Sequence, residues 1–146
     1  MTTANLVHIG ITVTDLERAA DFYIKYFGFK KTQGRRFDED FIGAQPALYR
    51  QPAGVYADMQ TIAGEDGTEI ELFRFSNTNT EPAGPAEWPR TGYHHISFKV
   101  PDLQALYETM SADGVEFFLP PAKADDFDGH WLFLKDPDGN MIELWD

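Results

Sequence analysis

The sequence predicts an α+β fold in which two βαβββ modules form a curved, partly open mixed β-sheet barrel around a metal site. Three observations predict it. Residues 8–16 read HIGITVTDL and residues 95–103 read HISFKVPDL, so the chain repeats a strand that runs into a helix start. Each half also ends on an Ile-Glu-Leu strand, at residues 70–72 and 142–144. Between these signatures each half shows one helical pattern and several strand patterns.

The two halves are expected to belong to one domain that spans residues 1–146, which is an ordinary length for a single domain. Module 1 covers about residues 5–75 and module 2 about residues 93–146. The linker between them, about residues 76–92, reads SNTNTEPAGPAEWPRTG and has no apolar period.

Module 1 begins with a strand over residues 6–14, in which Val7, Ile9 and Ile11 share one face. A helix follows, capped by Thr14 or Asp15, and Gly28 is well placed to end it. Further strands are predicted over residues 30–37, 47–51, 56–63 and 68–75. Residues 38–46 are predicted to be a loop.

Module 2 repeats this order more tightly. Its first strand covers residues 93–100, and its helix is capped by Asp102 and ends before Gly114. Residues 120–129 are predicted to be a polar loop, and Asp136-Pro137-Asp138-Gly139 is a turn sequence. Strands are predicted over residues 115–119, 131–134 and 141–145.

Charge and composition exclude several classes of protein. The formal net charge of −12 disfavours nucleic acid and anionic membranes as partners, because both would be repelled. The absence of cysteine excludes disulfides, thiolate metal sites and thiol nucleophiles. No apolar run reaches the roughly 20 residues of a membrane-spanning helix, and the N-terminus lacks a signal segment. A cytoplasmic enzyme or binding protein with a small-molecule partner is therefore expected.

Strand alternation places four potential ligands on the faces opposite the aliphatic side chains: His8, Glu71, His95 and Glu143. If each module curls its sheet, these faces are concave and the four side chains converge. Glu69 lies on the same strand face as Glu71 and is the alternative candidate ligand. The Ile-Glu-Leu match in both modules favours Glu71.

Two carboxylates in one cavity repel each other unless a cation lies between them. A divalent metal ion resolves this, and imidazole with carboxylate suits nickel, zinc, cobalt, manganese or iron. His94 would serve only if the strand start bulges. His130 is expected to be a surface histidine or, less readily, a pocket residue.

The chain resembles the vicinal oxygen chelate superfamily, the glyoxalase and bleomycin-resistance group, through HIGITVTDLERAADFY, IELF, HISFKVPDL and DPDGNMIELW. The resemblance implies that His8, Glu71, His95 and Glu143 match the four metal ligands of glyoxalase I. It implies a metal-dependent lyase or isomerase that forms a metal-stabilised enediolate, with Glu143, Glu71 or both as the proton carrier.

The resemblance leaves other activities open. An extradiol-type dioxygenase needs two histidines and one glutamate, and a metal-free binding or resistance protein needs none. Bacterial glyoxalase I uses an arginine and an asparagine to hold glutathione, and the aligned positions in this chain are Thr12 and Phe75. The resemblance therefore does not specify which thiol, if any, forms part of the substrate. Members of the superfamily often pair their modules across an interface, which implies a homodimer with the site within one chain or between two.

Overall fold

A computed structural model describes residues 3–84, 87–126 and 128–146. Pro85 and Ala86 of the expected linker and Phe127 of the expected polar loop lie outside the described residues. The chain divides into two compact units, Met1–Pro82 and Ala83–Asp146. In the described part of the chain, no helix combines the length and the apolar character that a membrane span requires.

Unit 1 is a four-stranded mixed sheet with one long helix and two short ones. Its elements are β1 (His8–Thr12), α1 (Leu16–Phe27), β2 (Lys30–Phe37), α2 (Glu39–Gly43), α3 (Pro46–Tyr49), β3 (Tyr56–Ala63) and β4 (Glu69–Ser76). The strand order is β1-β4-β3-β2. β1 pairs in parallel with β4, whereas β3 is antiparallel to both β4 and β2. The sheet is open, and β2 is an edge strand.

The long helix of unit 1 is defined by its two ends, as the sequence predicts. The side chain of Asp15 accepts a hydrogen bond from the Arg18 N–H at 3.0 Å, which satisfies one unpaired donor of the first turn. Gly28 ends the helix in a left-handed conformation, with φ of 71°. The helix lies against β3 and β4 and buries Ala19, Ala20 and Tyr23 completely. The core of unit 1 therefore lies between α1 and one face of the sheet.

Unit 2 repeats this arrangement. Its elements are β5 (His95–Lys99), α4 (Leu103–Ala112), β6 (Ala122–Lys123), β7 (His130–Lys135) and β8 (Met141–Trp145). The strand order β5-β8-β7-β6 is the order of unit 1, and β5 again pairs in parallel with β8. The helix is capped by Asp102, which accepts from the Ala105 N–H at 2.9 Å. The predicted α+β fold with two βαβββ modules is confirmed, and neither sheet is closed.

Five details of the sequence prediction are wrong. Residues 38–46 contain helix α2 instead of a loop, because Asp38 caps it by accepting from the Phe41 N–H at 2.8 Å. Residues 47–51 overlap helix α3 instead of forming a strand, and Pro46 suits a first helical turn. Val7 precedes β1 and is 65% exposed.

The other two errors concern the edge of the second sheet. Residues 115–119 make only an isolated bridge between Phe117 and Leu134. The expected polar loop contains the short strand β6, which pairs with β7 through Ala122 and Lys123. Both segments are too short to show an alternating pattern that sequence could identify.

Candidate metal centre

The first candidate half-site is formed by two adjacent parallel strands of unit 1. His8 opens β1 and Glu71 lies in the middle of β4, between the fully buried Ile70 and Leu72. The Nε2 atom of His8 lies 3.4 Å from the Oε2 atom of Glu71. Glu69 is the backbone neighbour of His8, yet it is Glu71 whose carboxylate approaches the imidazole. The structure therefore brings His8 together with the carboxylate that the sequence favours.

The second half-site occupies the same position in unit 2. His95 opens β5, and Glu143 lies in β8 between the fully buried Ile142 and Leu144. The Nε2 atom of His95 lies 3.5 Å from the Oε2 atom of Glu143. The side chains are 26% and 28% exposed, so both groups border a surface that a small ligand can reach.

The register explains why the two pairs agree. His8 is paired with Glu69 and His95 with Met141, so in each unit the glutamate lies two residues beyond the histidine's partner. Residues two apart on a strand share a face, which turns both glutamates toward their histidines. The same backbone geometry thus produces the same side-chain pair twice.

The separation within each pair suits a shared cation better than a direct hydrogen bond. Charge-assisted hydrogen bonds measure about 2.7 to 2.9 Å between heavy atoms, shorter than the observed 3.4 and 3.5 Å. Two ligand atoms at about 2.1 Å from a tetrahedral ion lie about 3.4 Å apart. Nitrogen and oxygen donors at this spacing therefore fit a divalent first-row metal.

One ring atom supports this interpretation. The Nδ1 atom of His95 is buried and has no hydrogen-bond partner among the described residues. A buried imidazole nitrogen without a partner is costly, because burial removes its contact with water. This ring nitrogen is therefore a buried polar atom that no described residue satisfies.

A cluster of aromatic rings lies on the face of the unit 1 sheet that carries Glu71, with Phe73 and Phe75 following Glu71 along that face of β4. Phe37 contacts Phe41 and Phe73 with ring centroids 5.2 and 5.9 Å apart, and Tyr49 lies 6.2 Å from Phe41 and 6.4 Å from Phe75. We call these five rings the aromatic wall. Phe73 lies two residues after Glu71 and therefore on the same face of β4. The contributions of α2 and α3 were missed because their sequence was assigned to a loop and a strand.

The second half-site has a different neighbourhood, which the sequence did not reveal. Trp88 stacks on His94 at 5.1 Å with an interplanar angle of 23° and lies 5.7 Å from the His95 ring. Phe133 meets the His95 ring edge to face at 5.2 Å. Trp88 lies in the Pro- and Gly-rich segment, where no periodicity indicates a contact. Only its aromatic character could have suggested one.

The remaining two histidines have other partners. The Nε2 atom of His94 lies 3.2 Å from the Arg90 carbonyl oxygen, so this ring is engaged on the Trp88 side of the strand. The Nδ1 atom of His130 lies 3.7 Å from Asp146, and its side chain is 53% exposed. Hydrogen bonds from the His130 and Leu103 backbone N–H groups hold the pKa of Asp146 below its usual value. This agrees with the surface interpretation of His130.

Within either unit, the described residues contain no group of three or more histidine, aspartate or glutamate side chains that could hold a metal ion. The structure therefore brings together the two members of each pair. The convergence of all four residues on one ion stays a prediction.

Comparison with known proteins defines the class. The chain is 32% identical to a lactoylglutathione lyase of Pseudomonas putida, over 94% of this chain and 82% of that protein. It is 27% identical to the lactoylglutathione lyase of Schizosaccharomyces pombe, of which it spans about half, 48%. A glyoxalase family protein from Bacillus cereus has the same fold, with a TM-score of 0.81 at 18% identity, over 99% of this chain and 95% of that one.

The family model of the Glyoxalase/Bleomycin resistance protein/Dioxygenase superfamily matches residues 5–144. The chain belongs to that superfamily, and its distant homologues include lactoylglutathione lyases.

Proposed function

We propose that this protein is a divalent-metal-dependent lyase or isomerase of the glyoxalase type that acts on a small carbonyl substrate. Its proposed ligands are His8, Glu71, His95 and Glu143. The observation that carries the proposal is the repeated pair, with nitrogen and oxygen 3.4 Å apart in one unit and 3.5 Å apart in the other. The lactoylglutathione lyases among the relatives support the reaction class.

A bound divalent ion would supply Lewis-acid polarisation of substrate oxygens. His8 and His95 would bind it through neutral imidazoles, because a protonated ring has no free lone pair. The glutamates would lower the net charge of the centre and keep it selective for cations. Nickel, zinc, cobalt, manganese and iron all accept this donor set.

The carboxylates are also the candidates for proton transfer. Glu143, Glu71 or both would remove the proton from one substrate carbon and return it to the neighbouring carbon. One C–H bond breaks and another forms, so the substrate is isomerised without an external oxidant. Each carboxylate is suited to this role because the fully buried aliphatic residues on both sides of it fix the strand from which it projects.

The number of ions per chain tests whether the two pairs act together. If they share an ion, within one chain or across a homodimer, elemental analysis will give one ion per chain. If each pair binds separately, the protein will take two. Sedimentation analysis of the loaded protein will distinguish a monomer from the proposed homodimer.

The activity is tested with protein stripped by a chelator and reloaded with each of the five metals. The substrates are hemithioacetals formed from an α-oxoaldehyde and several thiols, including glutathione. We expect metal-dependent thioester formation, and in D₂O partial incorporation of deuterium at the carbon that receives the proton.

Other results would assign the fold to another activity. Oxygen consumption with a catechol after Fe(II) loading would identify a dioxygenase. Tight binding of a small molecule by the stripped protein, with no effect of any metal, would identify a binding protein. Either result without hemithioacetal turnover would contradict the proposed function.

A further inference from the structure

The edge strand β2 carries four cations, and three of them have a carboxylate partner. Lys30 lies 3.7 Å from Glu65, and Lys31 is paired with Glu17. Arg36 forms two hydrogen bonds with Asp58, at 2.7 and 2.9 Å. The fourth cation is Arg35.

Arg35 has no ion pair or hydrogen bond through its guanidinium group with any described residue. The guanidinium carbon instead lies 4.5 Å from the Phe37 ring centroid and 5.5 Å from that of Phe41. Stacking on two rings holds the group in place while leaving its N–H donors available.

The register places Arg35 on the same face of the sheet as the first half-site. Arg35 is paired with Met59, Met59 with Phe73, and Phe73 with Thr12. Paired residues point to the same side of a sheet, so Met59 and Phe73 lie on this face between Arg35 and the His8–Glu71 pair. Phe41, which contacts both Phe37 and Tyr49 on the far side of Arg35, is 36% exposed and open to a ligand.

The distance between the two groups follows from sheet geometry. β2 is two strands away from β4, and the Arg35 row is displaced by two residues from Glu71. Strand spacing and rise then put the two Cα atoms about 12 Å apart. A ligand that reaches both needs an extended body, and Met59 and Phe73 between them favour an apolar or aromatic one.

We propose that Arg35 binds the carboxylate of a substrate whose apolar body lies on Met59 and Phe73 and whose reacting carbon lies at Glu71. This subsite deepens the proposed function and rests on it for the position of the reacting carbon. Arg35 supplies one positive charge at this position, whereas the chain as a whole has a net charge of −12. This balance suits a monoanionic carboxylate better than a doubly charged phosphate ester.

The test measures binding instead of turnover. The probes are 6-phenylhexanoate, its uncharged primary amide and the matching phosphonate, titrated by calorimetry into metal-free and metal-loaded protein. We expect the unchanged protein to bind the carboxylate about tenfold or more tightly than the amide, because the guanidinium can donate two charge-assisted hydrogen bonds. The carboxylate should also bind more tightly than the phosphonate.

The variants are Arg35→Gln, Arg35→Lys and the matched control Arg36→Gln, which removes the same charge on the opposite face. Arg35→Gln should abolish the preference for carboxylate over amide and leave amide binding unchanged. Arg35→Lys should retain part of the preference, and Arg36→Gln all of it. If Arg35→Gln does not fold, the test is whether Arg35→Lys prefers the carboxylate over the amide less strongly than Arg36→Gln does.

The proposal is overturned if the unchanged protein does not prefer the carboxylate, or if Arg36→Gln removes the preference as fully as Arg35→Gln. A preference for the phosphonate over the carboxylate would also overturn it and would indicate that Arg35 binds a phosphate-like group. The preference measured on metal-free protein survives failure of the metal-binding experiments, so the two proposals fail separately.

Discussion

The two units use one topology but surround their His–Glu pairs differently. In unit 1, Thr61 is the cross-strand partner of Glu71, and the outer strand β2 has eight residues. In unit 2, Phe133 is the partner of Glu143, and the corresponding strand β6 has two residues. The pairs themselves agree because parallel strand register sets them. The walls differ because edge strands and connections, which that register does not constrain, build them.

This difference suggests a division of labour. Unit 1 offers a long edge strand with a stacked arginine and five aromatic rings, which suits the recognition of an extended substrate. Unit 2 encloses its histidine with Trp88 and Phe133, which limits the space and water around one ligand. Four predictions test this difference between the units, and the largest expected effect is that of replacing the glutamates.

Replacement of either glutamate should lower metal affinity by about tenfold or more, because each replacement removes a proposed anionic ligand. In Glu71→Gln and Glu143→Gln, kcat measured at saturating metal should fall about 10²- to 10⁴-fold in the variant that has lost the base. The other variant should lose less. Small effects on both metal affinity and kcat in both variants would contradict the proposed metal-binding and proton-transfer roles of the two glutamates.

The two hairpin turns carry glycines with the same backbone but different surroundings. Gly67 and Gly139 have φ of 84° and 88°, but a Cβ on Gly139 would lie 2.9 Å from the Ala83 carbonyl oxygen, whereas one on Gly67 meets nothing within 4 Å. Gly139→Ala should lower the free energy of unfolding by about 2 to 4 kcal/mol, and Gly67→Ala by about 1 kcal/mol.

Urea unfolding measures both values. The excess for Gly139→Ala should come from displacement of residue 83, whose N–H donates to the Asp138 carbonyl at 2.8 Å. Equal destabilisation by the two changes would show that backbone strain alone matters.

Trp88 offers a spectroscopic report on the second half-site. Its ring centroid lies 5.7 Å from the His95 ring, so a paramagnetic ion such as Co²⁺ bound at His95 should quench its fluorescence. Trp88→Phe should remove most of the quenching while changing the affinity for Co²⁺ by less than about threefold. Phe73→Leu serves as the control in unit 1 and should leave the quenching intact.

The smallest expected effect is a change in the free energy of unfolding at acidic pH. Hydrogen bonds from Arg36 lower the pKa of Asp58 below its usual value. A carboxyl group whose folded pKa is lowered stabilises the protein above its unfolded pKa and loses this contribution as the pH falls through the folded value. Asp58→Asn should therefore be less stable than the unchanged protein at pH 6 and approach it below the unfolded pKa.

Urea unfolding across this range measures the difference. Asp146→Asn in unit 2 should behave in the same direction, because backbone N–H groups lower its pKa. A difference between Asp58→Asn and the unchanged protein that stays constant with pH would show that the ion pair contributes nothing through ionisation.

Much of the fold could be predicted because its elements carry complete local signals. The interval of the long helix α1 follows from the Asp15 cap and Gly28, and the strand bounds 56–63 and 141–145 agree with the structure. Helices α2 and α3 could not be predicted in the same way. They have five and four residues, too few to show a helical period, and their signs in the sequence are single residues, the Asp38 cap of α2 and Pro46 in the first turn of α3.

The duplication and the strand faces of the four candidate ligands could be identified from the sequence, because alternation along a strand is a local property. The choice of Glu71 over Glu69 followed from the Ile-Glu-Leu match between the two halves, since the two glutamates share a face. Only the tertiary structure decided which groups meet across strands and loops. It sets the 3.4 and 3.5 Å distances within the two His–Glu pairs and places Trp88 beside His95. It also stacks Arg35 on aromatic rings, whereas the other cations of β2 pair with carboxylates. Those contacts depend on register and on residues far apart in the chain, and no local pattern encodes them.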